Sequence, residues 1–262
     1  MCFGLSFTDY DGFNTMDFTG LRNYVELFGN DSFRIALKNN LVFAAVCVPL
    51  TLFFSLTMAL LVKNITKGAG LFKTLLFFPN ITSYVAVAIV WTMLFHPQSG
   101  IINRIIMAFG VNNPPQWLIS SRWALPAVII VMVWKSSGYY MILLLGGLYA
   151  IPAHLYESAK MDGAGRLRSL ISITLPMLTP TILFVIITLL INSFQVFDII
   201  NIMTEGGPGR STNMLAYRIY LEAYKYFKFG YASAMSVILF LITLIITVVL
   251  FQSQKKWVTY MQ

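Results

Sequence analysis

Few residues in this 262-residue chain could carry out a reaction, and their spacing excludes most reactions. The two histidines, His96 and His154, fall on opposite membrane faces in the topology derived below. They can therefore share neither a metal nor a proton relay. Cys2 and Cys47 fit no metal or redox spacing, and each suits an apolar helix as a small hydrophobe. GGPGRST at 206–212 approaches a phosphate-cradling loop, which needs Gly, four residues, then Gly-Lys-Ser/Thr. Counting back from Gly209 finds Thr204, and Arg210 stands where lysine belongs. DGAG at 162–165 lacks the strand and third glycine of a dinucleotide fingerprint. No nucleophile sits beside a base. The chain is expected not to be an enzyme and to hold no catalytic residue, cofactor or metal of its own.

What remains is the chemistry of contact, in two places. The first is ESAKMDGAGRLRSLISITLP at 157–176, with five charged residues, two glycines and a proline between long apolar stretches. Pro152 suits the first turn of a short helix through about Asp162, and Gly163 suits its end. A second, amphipathic helix then carries Leu167, Leu170, Ile171, Thr174 and Leu175 on one stripe. Pro176 can open the following span, where its missing N–H costs nothing. Glu157, Lys160 and Asp162 would reach into water. Ser158, Ala159, Ala164 and Gly165 are small enough for another backbone to approach. Such a protrusion suits a groove on a partner protein; the alternative is a solvated loop that merely joins two spans.

The second place is a set of polar residues inside apolar segments, where they are costly and commonly face a cavity or a partner helix. Lys135 lies about 18 Å from the outer end of its span, too deep for easy snorkelling. Trp134 precedes it, and Ser136, Ser137, Tyr139 and Tyr140 follow. Thr188, Asn192 and Gln195 share one face at helical spacing, and Asp198 extends it. Pro79, Asn80, Thr82, Ser83 and Tyr84 interrupt another segment. Aromatic faces with amides and hydroxyls are what a sugar needs. The candidate solute path is therefore Asn80, Ser83, Tyr84, Trp134, Lys135, Tyr139, Tyr140, Asn192, Gln195 and Asp198. Hydrogen bonding between helices is the alternative for each. A Lys135–Asp198 pair is not expected, because their depths differ by about 10 Å.

The elements that position these residues follow from composition. The chain is 58% hydrophobic and 11% charged, against about 25% charged in a soluble domain. Mean hydropathy is +0.74. Uncharged windows run over 39–62, 74–95, 123–153 (broken only by Lys135), 169–197 and 229–254. Each is long enough for one crossing of about 20 residues. In lipid their backbone groups must bond internally, so they are helices and the fold is all-α. MCFGLSF reads as the last turns of a sixth helix that begins upstream, with a cleaved signal peptide as the rival reading. GIINRIIMAFG at 100–110 reads as an interfacial helix.

The charge of +8 would suggest nucleic acid in a soluble protein. Here it reads as loop lysines and arginines that set orientation, and no nucleic-acid partner is expected. With 7–38 outside, the inside loops 63–73, 154–175 and 255–262 carry Lys63, Lys67, Lys73, Lys160, Arg166, Arg168, Lys255 and Lys256. Positive charge is denser there than in the outer loops, so these loops and the C-terminus are expected in the cytoplasm.

The run ESAKMDGAG from Glu157, with ITLP at 173–176 and Pro180 beyond, resembles the EAA motif of ABC-importer permease subunits. That pattern is roughly E-A-A-x-x-D-G-A followed by I-x-L-P, and Ser158 replaces its first alanine. GLFKTLLFFPNIT, VWKSSGYYM and SFQVFDIINIMTEGGPG with FGYASAMSV are similar to the carbohydrate-uptake branch, maltose- and glycerol-phosphate-type permeases among them. The resemblance covers nearly the whole chain from about residue 18.

It implies a single transmembrane permease domain over 1–262, a bundle of six spans in the intact protein, and a coupling loop at 152–176. It implies that Glu157, Ser158, Ala159, Asp162, Gly163, Ala164, Leu175 and Pro176 meet a cytoplasmic ATPase, with Glu157 paired to a basic residue there. It further implies a second permease subunit, two ATPase subunits that use the ATP, an extracytoplasmic solute-binding protein, and a bacterial or archaeal plasma membrane. The solute would be a sugar or oligosaccharide. Glycerol phosphate or a polyol is the alternative, and an ion-coupled transporter fragment a more distant one.

Overall fold

A computed structural model describes residues 2–13, 16–65 and 67–258. Among them the secondary structure is helical. In chain order the helices are α1 (Cys2–Leu5), α2 (Arg22–Gly29), α3 (Asp31–Lys63), α4 (Ala69–Ile81), α5 (Tyr84–Leu94), α6 (Ile101–Ala108), α7 (Ala124–Ala150), α8 (Ala153–Met161), α9 (Arg166–Ser169), α10 (Leu175–Phe194), α11 (Asp198–Met203), α12 (Leu215–Tyr220) and α13 (Phe229–Trp257). Two wide, π-type turns lie at Leu170–Thr174 and Leu221–Lys225.

Four helical stretches are long and apolar enough to cross a membrane: Asp31–Lys63, Ala124–Ala150, Arg166–Phe194 and Phe229–Trp257. The chain is thus a multi-pass membrane protein. Their ends follow local rules. Asn30 Oδ1 accepts from the Ser32 amide and caps α3. Asp31 in its first turn and Lys63 in its last suit the helix dipole, as do Lys255 and Lys256 at the end of α13. The most apolar window of α7 is 67% buried and that of α13 only 17%, so α7 is an interior helix and α13 leaves most of its surface for lipid or a partner.

Three expectations are corrected. The 74–95 window is not one straight span. It is α4 and α5, turned through 94° at Thr82–Ser83. Pro79 withdraws an N–H from the last turn of α4, Thr82 is extended, and Ser83 caps α5 by accepting from the Val85 amide. Second, no new span opens at Pro176. One helical run extends from Arg166 to Phe194, because the wide turn shifts the bonding register to Leu175 N–H→Leu170 O just before the proline. That shift accommodates the donor that proline lacks. Third, α10 ends at Phe194, so Gln195 lies past the helix carrying Thr188 and Asn192. Asn40 Nδ2 donates to the Ser193 carbonyl at 3.1 Å, taking a last-turn acceptor from outside the helix.

The described residues group into two compact units. One comprises Met1–Cys47, Ser83–Met132 and Ile191–Ile245. In it α5 packs against α11. Asn40, fully buried, also accepts from the Leu215 amide at 2.8 Å. Asn103 is the buried residue of α6 and accepts from Trp117 Nε1 at 2.8 Å, while Ile101, Ile105 and Met107 stay exposed. That arrangement suits the expected interfacial helix. The other unit comprises Val48–Thr82, Val133–Leu190 and Ile246–Gln262. Its core joins Ala59 and Val62 to Met141, Leu144, Leu148, Leu178 and Val185. Residues 259–262, part of the expected cytoplasmic C-terminus, lie outside the described residues.

Candidate functional site

The elbow at 152–176 is built by local chemistry. Pro152 precedes the first residue of α8, and Asp162 is its C-cap. The Ala164 amide donates to the Ala159 carbonyl at 2.8 Å and the Gly163 amide to Lys160 at 3.1 Å. Those two bonds form a Schellman motif, which needs a left-handed residue, and Gly163 supplies it at φ +74°. Gly165, extended, precedes Arg166, and the chain turns into the helical run that ends at Phe194. The result is the expected helix–turn–helix.

None of the nine residues of α8 is buried. Glu157, Ser158, Asp162 and Gly163 are exposed, and Ala159, Ala164, Leu175 and Pro176 are half-buried. The elbow is held from below by Tyr156. Its hydroxyl is 3.0 Å from Thr174 Oγ1, and the Lys63 ammonium lies 4.7 Å from its ring centre. An open cleft of about 1010 Å³ runs beside it, lined by Lys63, Tyr156, Lys160, Arg166, Ser169 and Thr174 among others. A smaller one of about 170 Å³ lies by Ala159, Asp162, Arg168 and Ser172. Met161 at the tip is 88% exposed, an apolar side chain that the motif reading passed over. The available signal was an apolar side chain in an otherwise polar turn.

The polar residues expected on a solute path divide between the two units. In the second unit, Lys135 is 1% exposed, and its Nζ donates to the carbonyls of Thr82, Pro79 and Asn80 at 2.6, 3.0 and 3.3 Å. Tyr140 is buried, Trp134 and Tyr139 are exposed, and Asn80 is half-buried. The Tyr139 and Tyr140 rings meet edge to face with centres 5.1 Å apart. In the first unit, Ser83, Tyr84, Asn192, Gln195 and Asp198 are all exposed. Tyr84 and Asp198 are the first residues of α5 and α11, which pack together. Thr188 spends its hydroxyl on the Phe184 and Val185 carbonyls of its own helix.

In the 206–212 loop Thr212 is fully buried and donates to the Gly207 carbonyl at 2.7 Å, so the loop closes on itself. His96 Nδ1 accepts from the Ser99 amide at 3.2 Å within a turn. Among the described residues no three potential metal ligands lie together.

Comparison with known proteins agrees with this architecture. Residues 51–257 match the family described as "Binding-protein-dependent transport system inner membrane component". The chain is 36% identical over 260 residues to the "Probable ABC transporter permease protein YesP" of Bacillus subtilis (strain 168), covering 98% of this chain and 84% of that protein. It is 33% identical over 257 residues to the diacetylchitobiose uptake system permease protein NgcF of Streptomyces coelicolor, covering 93% and 73%. A crystal structure of a bacterial ABC transporter involved in the import of the acidic polysaccharide alginate superposes with a TM-score of 0.85 at 25% identity, over 97% of this chain and 88% of that one.

Proposed function

The chain belongs to the family of binding-protein-dependent transport system inner membrane components, which are transport proteins and not enzymes, and from that membership we propose that it forms half of the translocation pathway of an ATP-driven sugar or oligosaccharide importer. A second, similar permease subunit completes the pathway. Two ATPase subunits dock on the cytoplasmic face and hydrolyse the ATP. A solute-binding protein delivers solute from the other face. The observation that carries the reading is the elbow of α8. It is a capped helix that ends in a left-handed glycine and presents Glu157, Met161 and Asp162 while Leu155 and Tyr156 rest against the core.

Such an elbow transmits force because it is short and fixed at both ends. Tyr156 ties it to Thr174 at the head of a membrane-crossing helix and to Lys63 at the end of another. A partner that grips α8 moves those helices with it. The exposed amides, carboxylate and aromatic ring at Asn192, Gln195, Asp198 and Tyr84 suit a polyhydroxylated solute. The sugar assignment draws on the uptake of diacetylchitobiose by one relative and of alginate by the superposed transporter.

The test is reconstitution with the ATPase subunits in lipid vesicles. The parental protein is expected to co-purify with them. Glu157→Lys is expected to insert normally yet lose both co-purification and uptake. Full uptake by Glu157→Lys at the parental rate would end the coupling assignment. A solute panel reading stimulated ATP hydrolysis separates sugars from glycerol phosphate and polyols.

A further inference from the structure

The break between α4 and α5 leaves carbonyls without helical partners; Thr82 Oγ1 donates to that of Pro79 at 2.6 Å, and one buried side chain reaches three of them. The last four carbonyls of any helix lack partners within it. At membrane depth no water is at hand to bond them. Lys135 answers this. An ammonium has three N–H donors, and three carbonyls of the break, at Pro79, Asn80 and Thr82, lie within 3.3 Å of its nitrogen. The positive charge also sits at the negative end of the α4 dipole. The side chain is 1% exposed, so no further face of it is open to a passing solute.

The helix that carries Lys135 is pressed against α4 at the same level. Gly138, one helical turn on, sits so close that a Cβ there would stand 1.9 Å from the Leu76 carbonyl oxygen. Backbone therefore meets backbone, and the lysine is delivered to the break by a crossing with no slack. Ser55 Oγ donates to the Ser137 carbonyl at 2.9 Å and holds that turn from a further helix.

We propose that Lys135 is the internal cap of the broken span: a positioning residue that holds the carbonyl end of α4 at Thr82 and so sets the chain direction into Ser83 and Tyr84, and not a contact for solute. This revises the place of Lys135 within the proposed pathway, and it stands on geometry that does not depend on what is transported.

The experiment is hydrogen–deuterium exchange on the full importer complex in lipid nanodiscs, with no solute added, so that it reads the cap and not transport. Lys135→Met is expected to speed exchange of the peptide over 75–86 by about tenfold or more, with the 153–163 peptide unchanged. Lys135→Arg, whose guanidinium can meet the same carbonyls, is expected to restore protection to within about threefold. Unchanged exchange at 75–86 in Lys135→Met overturns the proposal. So does a uniform rise along the whole chain, which would mark general loosening. Should Lys135→Met fail to assemble, the parental complex decides through a membrane-permeant acylating reagent. Protection of Lys135 relative to exposed Lys160 supports the cap, and equal modification of the two refutes it. Loss of uptake in Glu157→Lys bears on the coupling assignment alone, so the two readings fail separately.

Discussion

Replacing Gly163 tests the elbow at its most constrained point. The residue has φ +74°, and a Cβ placed there would meet no atom within 4 Å. Steric contact with neighbours therefore contributes nothing, and the whole cost is backbone. A left-handed conformation costs an L-residue about 1–2 kcal/mol, with β-branched side chains at the upper end and asparagine well below it. Relaxing the strain would break the amide bonds from Ala164 to Ala159 and from Gly163 to Lys160. Each is worth roughly 0.5–1.5 kcal/mol. Valine at about 2 kcal/mol thus shifts the elbow roughly 30-fold toward an opened form, and alanine at about 1 kcal/mol roughly fivefold.

Because α8 buries no residue, global unfolding should hardly change. The assay is solute uptake per ATP hydrolysed by the reconstituted importer, across Gly163→Asn, Gly163→Ala and Gly163→Val. Coupling should fall in that order, with valine nearly uncoupled and its thermal midpoint within about 2 °C of the parent. Parental coupling in Gly163→Val refutes the reasoning, and so does an asparagine variant as damaged as valine.

Three other outcomes follow from the same geometry. Gly138→Ala should destabilise by about 1–3 kcal/mol, because the new methyl would overlap the Leu76 carbonyl, whereas Gly146→Ala meets nothing within 4 Å and should be neutral or slightly stabilising; detergent thermal melts compare the two. Met161→Asp should leave the melt unchanged, since the side chain is 88% exposed, yet weaken binding of the ATPase subunits about tenfold or more in a pull-down titration. Gln195→Ala should raise the solute concentration for half-maximal uptake while leaving insertion intact; unaltered specificity and rate would assign Gln195 to helix–helix bonding instead.

The elbow is legible in the sequence because local chemistry builds it. Proline before a helix and glycine after it act within a few residues, so Pro152 and Gly163 mark the ends of α8 in the sequence as they do in the structure. The same holds for the apolar windows, since the need to bond every backbone group internally forces helix on any such stretch. The polar run at 79–84 signalled an interruption in the 74–95 window, but no spacing there states that the chain turns by 94°.

Composition and short-range capping thus determined an all-α membrane protein, the approximate spans and an exposed elbow between two of them. Tertiary structure decided where helices stop and what buried charges touch. α10 ends at Phe194 with Asn40, from far along the chain, bonded to its Ser193 carbonyl, and the helical run continues through Pro176 across a wide turn. Lys135, which as sequence alone reads as an ion facing a cavity, meets carbonyls more than fifty residues away. Those outcomes rest on hydrogen bonds and backbone contacts between distant segments, and such contacts exist only once the helices have packed.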